Sequence, residues 1–126
     1  MTNTKTIALT SATLLFAFAS AARAAEPYGN WLRPSTGSTV HFYNCGGKLC
    51  AKVVAVKDPA RKSEIGKMIM HGATKAGDNK WQGDLTDAGT GKVYSGTVTV
   101  ESADAMNLQG CIASILCQSE TWTRTK

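Results

Sequence analysis

The chain has 126 residues and a formal net charge of +5, with 43% hydrophobic and 18% charged residues. Its lysines are dispersed along the sequence. A nucleic-acid-binding surface needs clustered positive charge, so we expect no nucleic-acid partner. The length and composition are those of one small globular domain.

Residues 1–24 have the layout of a secretory signal peptide. Lys5 precedes an uncharged apolar segment at residues 7–19, and Ala22-Arg23-Ala24 matches the small-x-small cleavage pattern. This apolar segment is shorter than the about 20 residues that span a bilayer, so no membrane-spanning segment is expected after cleavage. The sequence therefore predicts a signal peptide at 1–24, a single mature domain at 25–126, and a periplasmic or secreted location.

Four cysteines, Cys45, Cys50, Cys111 and Cys117, form an even set in this exported chain, which favours disulfides. Zinc ribbons and redox motifs prefer two intervening residues, whereas four and five separate these pairs. Three connectivities are possible. A long-range bridge would restrict the unfolded chain more strongly, but neighbouring antiparallel strands place residues within disulfide reach. We therefore expect Cys45–Cys50 and Cys111–Cys117, each stapling a hairpin.

The chain after the signal alternates between apolar and polar residues with a period of two, and clusters of Gly, Asp and Asn interrupt the pattern. One stretch, residues 58–66, has helical character, with Pro59 near its start and Gly66 at its end. The predicted strands are 31–33, 39–45, 49–56, 67–74, 80–86, 92–100, 104–112 and 117–125. Eight such strands predict an all-β fold, a small antiparallel up-and-down barrel with one short helical turn.

The apolar face of each predicted strand supplies candidates for the barrel interior. Methionine side chains suit an adaptable ligand site, although methionine in a barrel is more often part of a plain core. Gly83, Gly96 and Gly110 share these inward faces, where they either open a lumen or allow the strands to bend. The predicted ligand-lining residues are Phe42, Val53, Met68, Met70, Trp81, Tyr94, Met106 and Trp122.

The first and last strands carry a lipocalin-like signature. Gly29-Asn30-Trp31 resembles the G-x-W motif that opens the first lipocalin strand, and Arg124 lies where lipocalins place an arginine across that tryptophan. The resemblance implies that Trp31 and Arg124 close the barrel floor through a cation–π contact.

A wider pattern is similar to the bacterial domain-of-unknown-function family 2147. It comprises GNWLRPSTGSTVHFYNCGGKLCAKV, DNKWQGDLTDAGTGKVYSGTVTV and LQGCIASILCQSETWTR, and it extends from Gly29 to Arg124. The resemblance implies an exported, lipocalin-like protein whose activity is not established. Fold analogy alone is a weak basis for function.

Catalytic and metal-binding motifs are not found in the sequence. Gly89-Thr90-Gly91-Lys92 resembles the end of a phosphate-binding loop, but Thr86 and Val93 break the pattern, so we interpret it as a turn. The two histidines, His41 and His71, lack metal-ligand spacing. We expect no enzyme activity, no metal and no cofactor.

The last predicted strand places Glu120, Trp122 and Arg124 on one face. An ion pair between Glu120 and Arg124 near one barrel end and a solvated position at the rim are both compatible with this pattern.

Two functions remain open at this point. The first is binding of a small apolar or amphipathic ligand inside the barrel. The alternative is an envelope structural or protein-interaction module with a filled core and no ligand. The oligomeric state is not predicted.

Overall fold

The computed structural model describes residues 25–125, so the predicted signal peptide lies outside the described residues. Most of this part of the chain is β-strand, with a single 3₁₀ helix, η1. The elements are β1 Gly29–Arg33, β2 Ser38–Cys45, β3 Lys48–Ala55, η1 Pro59–Glu64, β4 Met68–Gly77, β5 Lys80–Thr86, β6 Val93–Val100, β7 Ala105–Ile112 and β8 Leu116–Arg124.

The eight strands form a closed barrel in chain order. Each strand pairs antiparallel with its neighbours, and β1 closes the barrel against β8 by pairing Trp31 with Arg124 and Leu32 with Thr123. Closure leaves no unpaired sheet edge. The predicted eight-stranded up-and-down barrel is confirmed, with strand ends that differ from the prediction by a few residues.

Local turn chemistry sets the boundaries of several elements. The β2–β3 turn uses Gly46 and Gly47 with φ of 68° and 83°, the left-handed conformation that a two-residue hairpin turn requires. Helix η1 begins at Pro59, and the Asp58 carboxylate accepts a hydrogen bond from the Ala60 amide at 2.9 Å. Within residues 25–125, no helix is long and apolar enough to cross a membrane.

Both predicted disulfides are present, and residues 25–125 contain no free cysteine. Cys111 and Cys117 lie directly opposite each other on β7 and β8, with their Cα atoms 4.1 Å apart. The other bridge departs from the expected geometry. Cys45 lies opposite Lys48, so its bond to Cys50 is diagonal across the hairpin, with a Cα distance of 5.8 Å.

The barrel has two unlike ends. The closed end contains the start of β1, the end of β8 and the β2–β3, β4–β5 and β6–β7 loops. The other four loops form the open end. Large side chains fill the closed half, and several of them are fully buried: Trp31, Phe42, Leu49, Met70, Val98, Val100 and Met106. The Trp122 ring packs edge-on against Phe42, with centroids 6.1 Å apart, and forms the upper limit of this core.

A row of glycines crosses three strands, because Gly83 pairs with Gly96 and Gly96 with Gly110. A Cβ atom on Gly83 would lie 2.8 Å from the Cα of Ala73, and one on Gly96 would lie 2.8 Å from the Cβ of Leu85. These two glycines therefore allow close packing of the barrel wall. A Cβ on Gly110 would meet its neighbours at 3.5 Å or more, an ordinary contact distance.

Candidate functional site

A cavity of about 610 Å³ occupies the open half of the barrel. Three of the four open-end connections contribute to its lining, through Pro34 of β1–β2, Glu64 of η1 and Ala88 of β5–β6, and β8 adds Gln118 and Ser119. Its volume lies in the range of sites for drug-sized ligands, about 300–1,000 Å³. Chain length alone does not predict whether the barrel encloses a cavity.

The wall and floor of the cavity are apolar. Trp122, which is 4% exposed, forms the floor above the closed-end core. The surrounding wall is supplied by Val40, Val53, Ile69, Leu85, Ala88, Tyr94 and Leu108.

The mouth, by contrast, is polar. The Glu120 carboxylate on β8 accepts hydrogen bonds from the Ser35 amide at 2.8 Å and the Ser35 hydroxyl at 3.1 Å. It also forms an ion pair with Arg33 at 3.5 Å. These contacts tie the β1–β2 loop to β8 across the cavity entrance.

The environment of Glu120 favours its ionised form. Burial alone would raise the pKa of this carboxyl, but the Ser35 hydrogen bonds and the Arg33 charge outweigh burial and lower the pKa. The Trp122 indole N–H adds to the lowering, although it lies outside hydrogen-bonding geometry. Glu120 is therefore an ionised carboxylate at the mouth, and most of its capacity to accept hydrogen bonds is already used.

Two more carboxylates line the cavity. Asp87 accepts hydrogen bonds from the Gly89 and Thr90 amides at 2.8 and 2.9 Å, which confirms the predicted turn. Burial opposes ionisation of Asp87, but these amides and the Arg33 charge lower its pKa. Glu64 is buried and forms an ion pair with Arg61 at 3.3 Å.

The contacts of Glu120 predict an acid-sensitive contribution to stability. Because its pKa is lower in the folded protein, this contribution is complete above the ordinary carboxyl range and disappears as pH falls through and below about 4. We expect Glu120→Gln to lower stability at pH 7 by about 1 kcal/mol or less, since the group is partly exposed. Urea unfolding from pH 7 to 3 should show a shallower pH dependence in the variant than in the unmodified protein. Asp84→Asn, on an exposed outward position, is the control; equal slopes in Glu120→Gln and the unmodified protein would contradict the account.

The closed end is held by Arg124. Its guanidinium lies 4.3 Å from the centroid of the Trp31 ring. The same group donates hydrogen bonds to three backbone carbonyls, those of Ala103 at 2.6 Å, Glu26 at 2.7 Å and Tyr28. Trp31 donates its indole N–H to the Pro27 carbonyl at 2.8 Å. These contacts join the N-terminal segment, β1, the β6–β7 loop and β8.

This geometry also decides between the two arrangements that the sequence allows for Glu120 and Arg124 on β8. Glu120 bonds to Arg33 and Ser35 at the mouth, whereas Arg124 contacts Trp31 and backbone carbonyls at the opposite end. The Glu120–Arg124 ion pair is therefore not formed, since four residues of extended strand separate the two side chains along the barrel axis.

The family model described as "Uncharacterized protein conserved in bacteria (DUF2147)" matches residues 29–124. The chain belongs to this family. The match covers every strand and both disulfides, so the family resemblance seen in the sequence is confirmed.

Comparison with a solved structure supports the lipocalin-like architecture of this DUF2147 domain. The chain is similar to protein HP1028 from Helicobacter pylori, described as belonging to the lipocalin family, with a TM-score of 0.68 and 18% sequence identity. The match covers 81% of this chain and 84% of that chain. At this identity the likeness shows a shared fold. No functionally curated protein shows significant sequence similarity to the chain.

The DUF2147 cavity includes only some of the residues predicted from strand faces. Val53, Tyr94 and Trp122 line it. Phe42, Met70 and Met106 face inward as predicted, but they lie in the closed-half core. Each is fully buried and none contacts the cavity, so these three residues support the cavity floor from below.

Two predicted lining residues lie elsewhere. A β-bulge in β4 pairs Met70 with Ala51 and Met68 with Lys52, which turns Ile69 toward the cavity and Met68 outward. Met68 accepts a hydrogen bond from the Tyr43 hydroxyl at 3.4 Å. The prediction for Met68 is wrong because strict alternation ignores the bulge.

Trp81 belongs to the closed end, where it lines a separate cleft of about 160 Å³ beside residues 25–28. The Lys75 ammonium lies 5.8 Å from the centroid of its ring. Strand alternation predicts its inward face correctly but does not give its height along the barrel axis, so Trp81 does not reach the cavity.

Proposed function

We propose that this DUF2147 protein is a non-enzymatic binding protein of the cell envelope that holds one small amphipathic molecule in its open half. The observation that carries the proposal is the combination of an apolar wall and floor with a polar mouth in one cavity of about 610 Å³. The two disulfides are consistent with an oxidising compartment outside the cytoplasm. A periplasmic or secreted location is part of the proposal.

The apolar portion of the ligand would pack between Val40, Val53 and Leu108, with Trp122 beneath it. Removing about 200 Å² of apolar ligand surface from water contributes roughly 5 kcal/mol. The loss of translational and rotational freedom offsets much of that. Since 5 kcal/mol corresponds to a dissociation constant of about 0.2 mM, we expect submillimolar or weaker affinities for such a ligand.

The charges of the lining favour a neutral or cationic head group. Arg33 is the one cationic residue among the described residues that line the cavity, and it is already paired with Glu120. Glu64, Asp87 and Glu120 supply three carboxylates. An anionic head group would therefore meet like charges without a free cation to offset them.

The buried indole N–H of Trp122 suits an acceptor atom on the ligand. It is the one buried side-chain polar atom within residues 25–125 that lacks a hydrogen-bond partner. A fully isolated buried donor costs about 1–3 kcal/mol, and the cost here is smaller because this N–H already helps to lower the pKa of Glu120. A hydroxyl, ether or carbonyl oxygen near the cavity floor would recover part of this cost after a small movement of the ring.

Tryptophan emission during titration with three ten-carbon probes tests the proposal. Decanol, decyltrimethylammonium and decanoate share one chain and differ in head-group charge. We expect saturable changes for the first two, with decanoate bound about tenfold more weakly, a difference of roughly 1.4 kcal/mol. Trp122→Phe should lose most of the signal, whereas Trp81→Phe, at the closed end, should retain it. Absence of a saturable change with all three probes would overturn the proposal.

A further inference from the structure

The exposed large hydrophobic residues are gathered at the open end of the barrel. Among residues 25–125 they are Ile65, Val93, Ile112, Ile115 and Leu116. They lie on or beside the β3–β4, β5–β6 and β7–β8 connections, so they surround the cavity mouth on three sides. We call this set the apolar rim.

The β7–β8 tip holds the most exposed members of the apolar rim. Ile115 is 82% and Leu116 69% exposed. Directly before them, Ala113 and Ser114 adopt φ of 53° and 62°, a left-handed conformation that is unfavourable for these residue types. The Cys111–Cys117 disulfide staples the base of the tip. Backbone and disulfide together keep these apolar side chains projecting from the barrel.

Positive charge accompanies the apolar rim. The open-end connections carry four exposed lysines, Lys57, Lys62, Lys67 and Lys92, and one exposed acid, Asp58, whose carboxylate caps η1. Glu64, Asp87 and Glu120 line the cavity and do not contribute to this outer surface.

The closed end has the opposite balance. Its exposed charged residues within the described part of the chain are Lys48, Lys75 and Lys80 against Glu26, Asp78, Glu101 and Asp104. The two ends therefore carry similar numbers of exposed lysines, and they differ because the exposed acidic residues are concentrated at the closed end.

We propose that the apolar rim and its four lysines dock onto an anionic lipid surface, with the cavity mouth facing the bilayer. Protein–protein interface cores are depleted of lysine. Lysines interspersed with projecting Ile, Leu and Val side chains instead match the requirements of interfacial membrane binding. Amphipathic molecules concentrate in the headgroup region, so this orientation brings the mouth to where such a ligand resides.

Flotation of the oxidised protein with lipid vesicles tests this docking. Phosphatidylcholine vesicles containing roughly one-third phosphatidylglycerol should bind it at least about tenfold better than pure phosphatidylcholine vesicles, since each lysine near the surface contributes about fivefold. Binding should fall between 0.1 and 1 M salt, as the Debye length shortens from about 10 Å to about 3 Å.

Matched variants separate the rim from the rest of the surface. Ile115→Glu should weaken vesicle binding about tenfold or more, and Lys62→Glu at least about fivefold. Thr121→Glu, on the exposed face of β8, and Lys80→Glu, at the closed end, should have little effect. Circular dichroism and thermal unfolding verify that each variant is folded.

Three outcomes would overturn the docking proposal. The protein could show no preference for anionic vesicles, or Lys62→Glu and Lys80→Glu could lose vesicle binding equally. The third outcome is a protein that binds no vesicles but self-associates through the rim, with Ile115→Glu abolishing the self-association. The assay does not depend on ligand binding. A variant with a blocked cavity, such as Gly110→Leu, should still float with vesicles, so failure of docking and failure of the proposed function are distinguishable.

Discussion

Gly110→Leu should abolish most ligand binding while leaving the barrel folded. Gly110 lines the cavity, and a Cβ atom there would meet Tyr94 at 3.5 Å and Leu85 at 3.7 Å, which are ordinary contacts. The leucine side chain would then occupy the space of the ligand's apolar portion. We expect a loss of about 2 kcal/mol or more, roughly thirtyfold in affinity, measured by titration with decanol.

The neighbouring residue provides the matched control for this substitution. Gln109→Leu places the same side chain on the outer face of β7 and should leave affinity unchanged. Gly96→Ala is a contrasting case, because its Cβ would lie 2.8 Å from Leu85 and 2.9 Å from the Gly83 carbonyl oxygen. We expect it to destabilise the fold by about 1–3 kcal/mol. Unchanged decanol affinity in Gly110→Leu would contradict the location of the site.

Arg124→Ala should lower the free energy of unfolding by about 1 to 3 kcal/mol, because it removes the contact with Trp31 and the packing of the arginine stem. Arg124→Lys should recover only part of this loss, since an ammonium cannot stack as a planar group or bond three carbonyls in the same arrangement. Urea unfolding provides the measurement.

A double-mutant cycle with Trp31→Phe isolates the contribution of the aromatic contact. Lys75→Ala is the control for an exposed cation–π contact. Its ammonium lies 5.8 Å from the Trp81 ring centroid, and its removal should lower the free energy of unfolding by only about 0.5–1 kcal/mol. Absence of coupling between the Trp31 and Arg124 substitutions would show that closure depends on the hydrogen bonds to carbonyls and not on stacking.

The strands and disulfides could be predicted from the sequence because they depend on local information. Period-two alternation gives the inward face of most strands, and paired cysteines flank short turns. The limit of alternation is visible at Met68-Ile69-Met70, where all three residues are apolar and a bulge decides which of them face inward. Nothing in that tripeptide distinguishes Ile69 from Met68.

The position of a residue along the barrel axis could not be predicted from alternation. Four predicted lining residues point inward but fill or flank the closed half, namely Phe42, Met70, Met106 and Trp81. The cavity lies above them because the strand register, set by closure of β1 against β8, places Trp122 between the two halves.

The polar mouth was missed for a related reason. Ser35 and Glu120 are separated by 85 residues and meet only after closure of the barrel. Asp87 and Glu64 also contribute to the cavity lining, although no sequence motif distinguishes them from other carboxylates. A sequence signal existed only for β8, where Glu120 shares the inward face of Trp122.

Native mass spectrometry of the protein purified from the cell envelope, its proposed location, is the decisive measurement for ligand binding. We expect one additional small-molecule mass per chain, which is lost on denaturation and absent from Gly110→Leu prepared in parallel. A protein that carries no additional mass under these conditions, and acquires none when incubated with decanol or decyltrimethylammonium, would contradict a ligand-binding role.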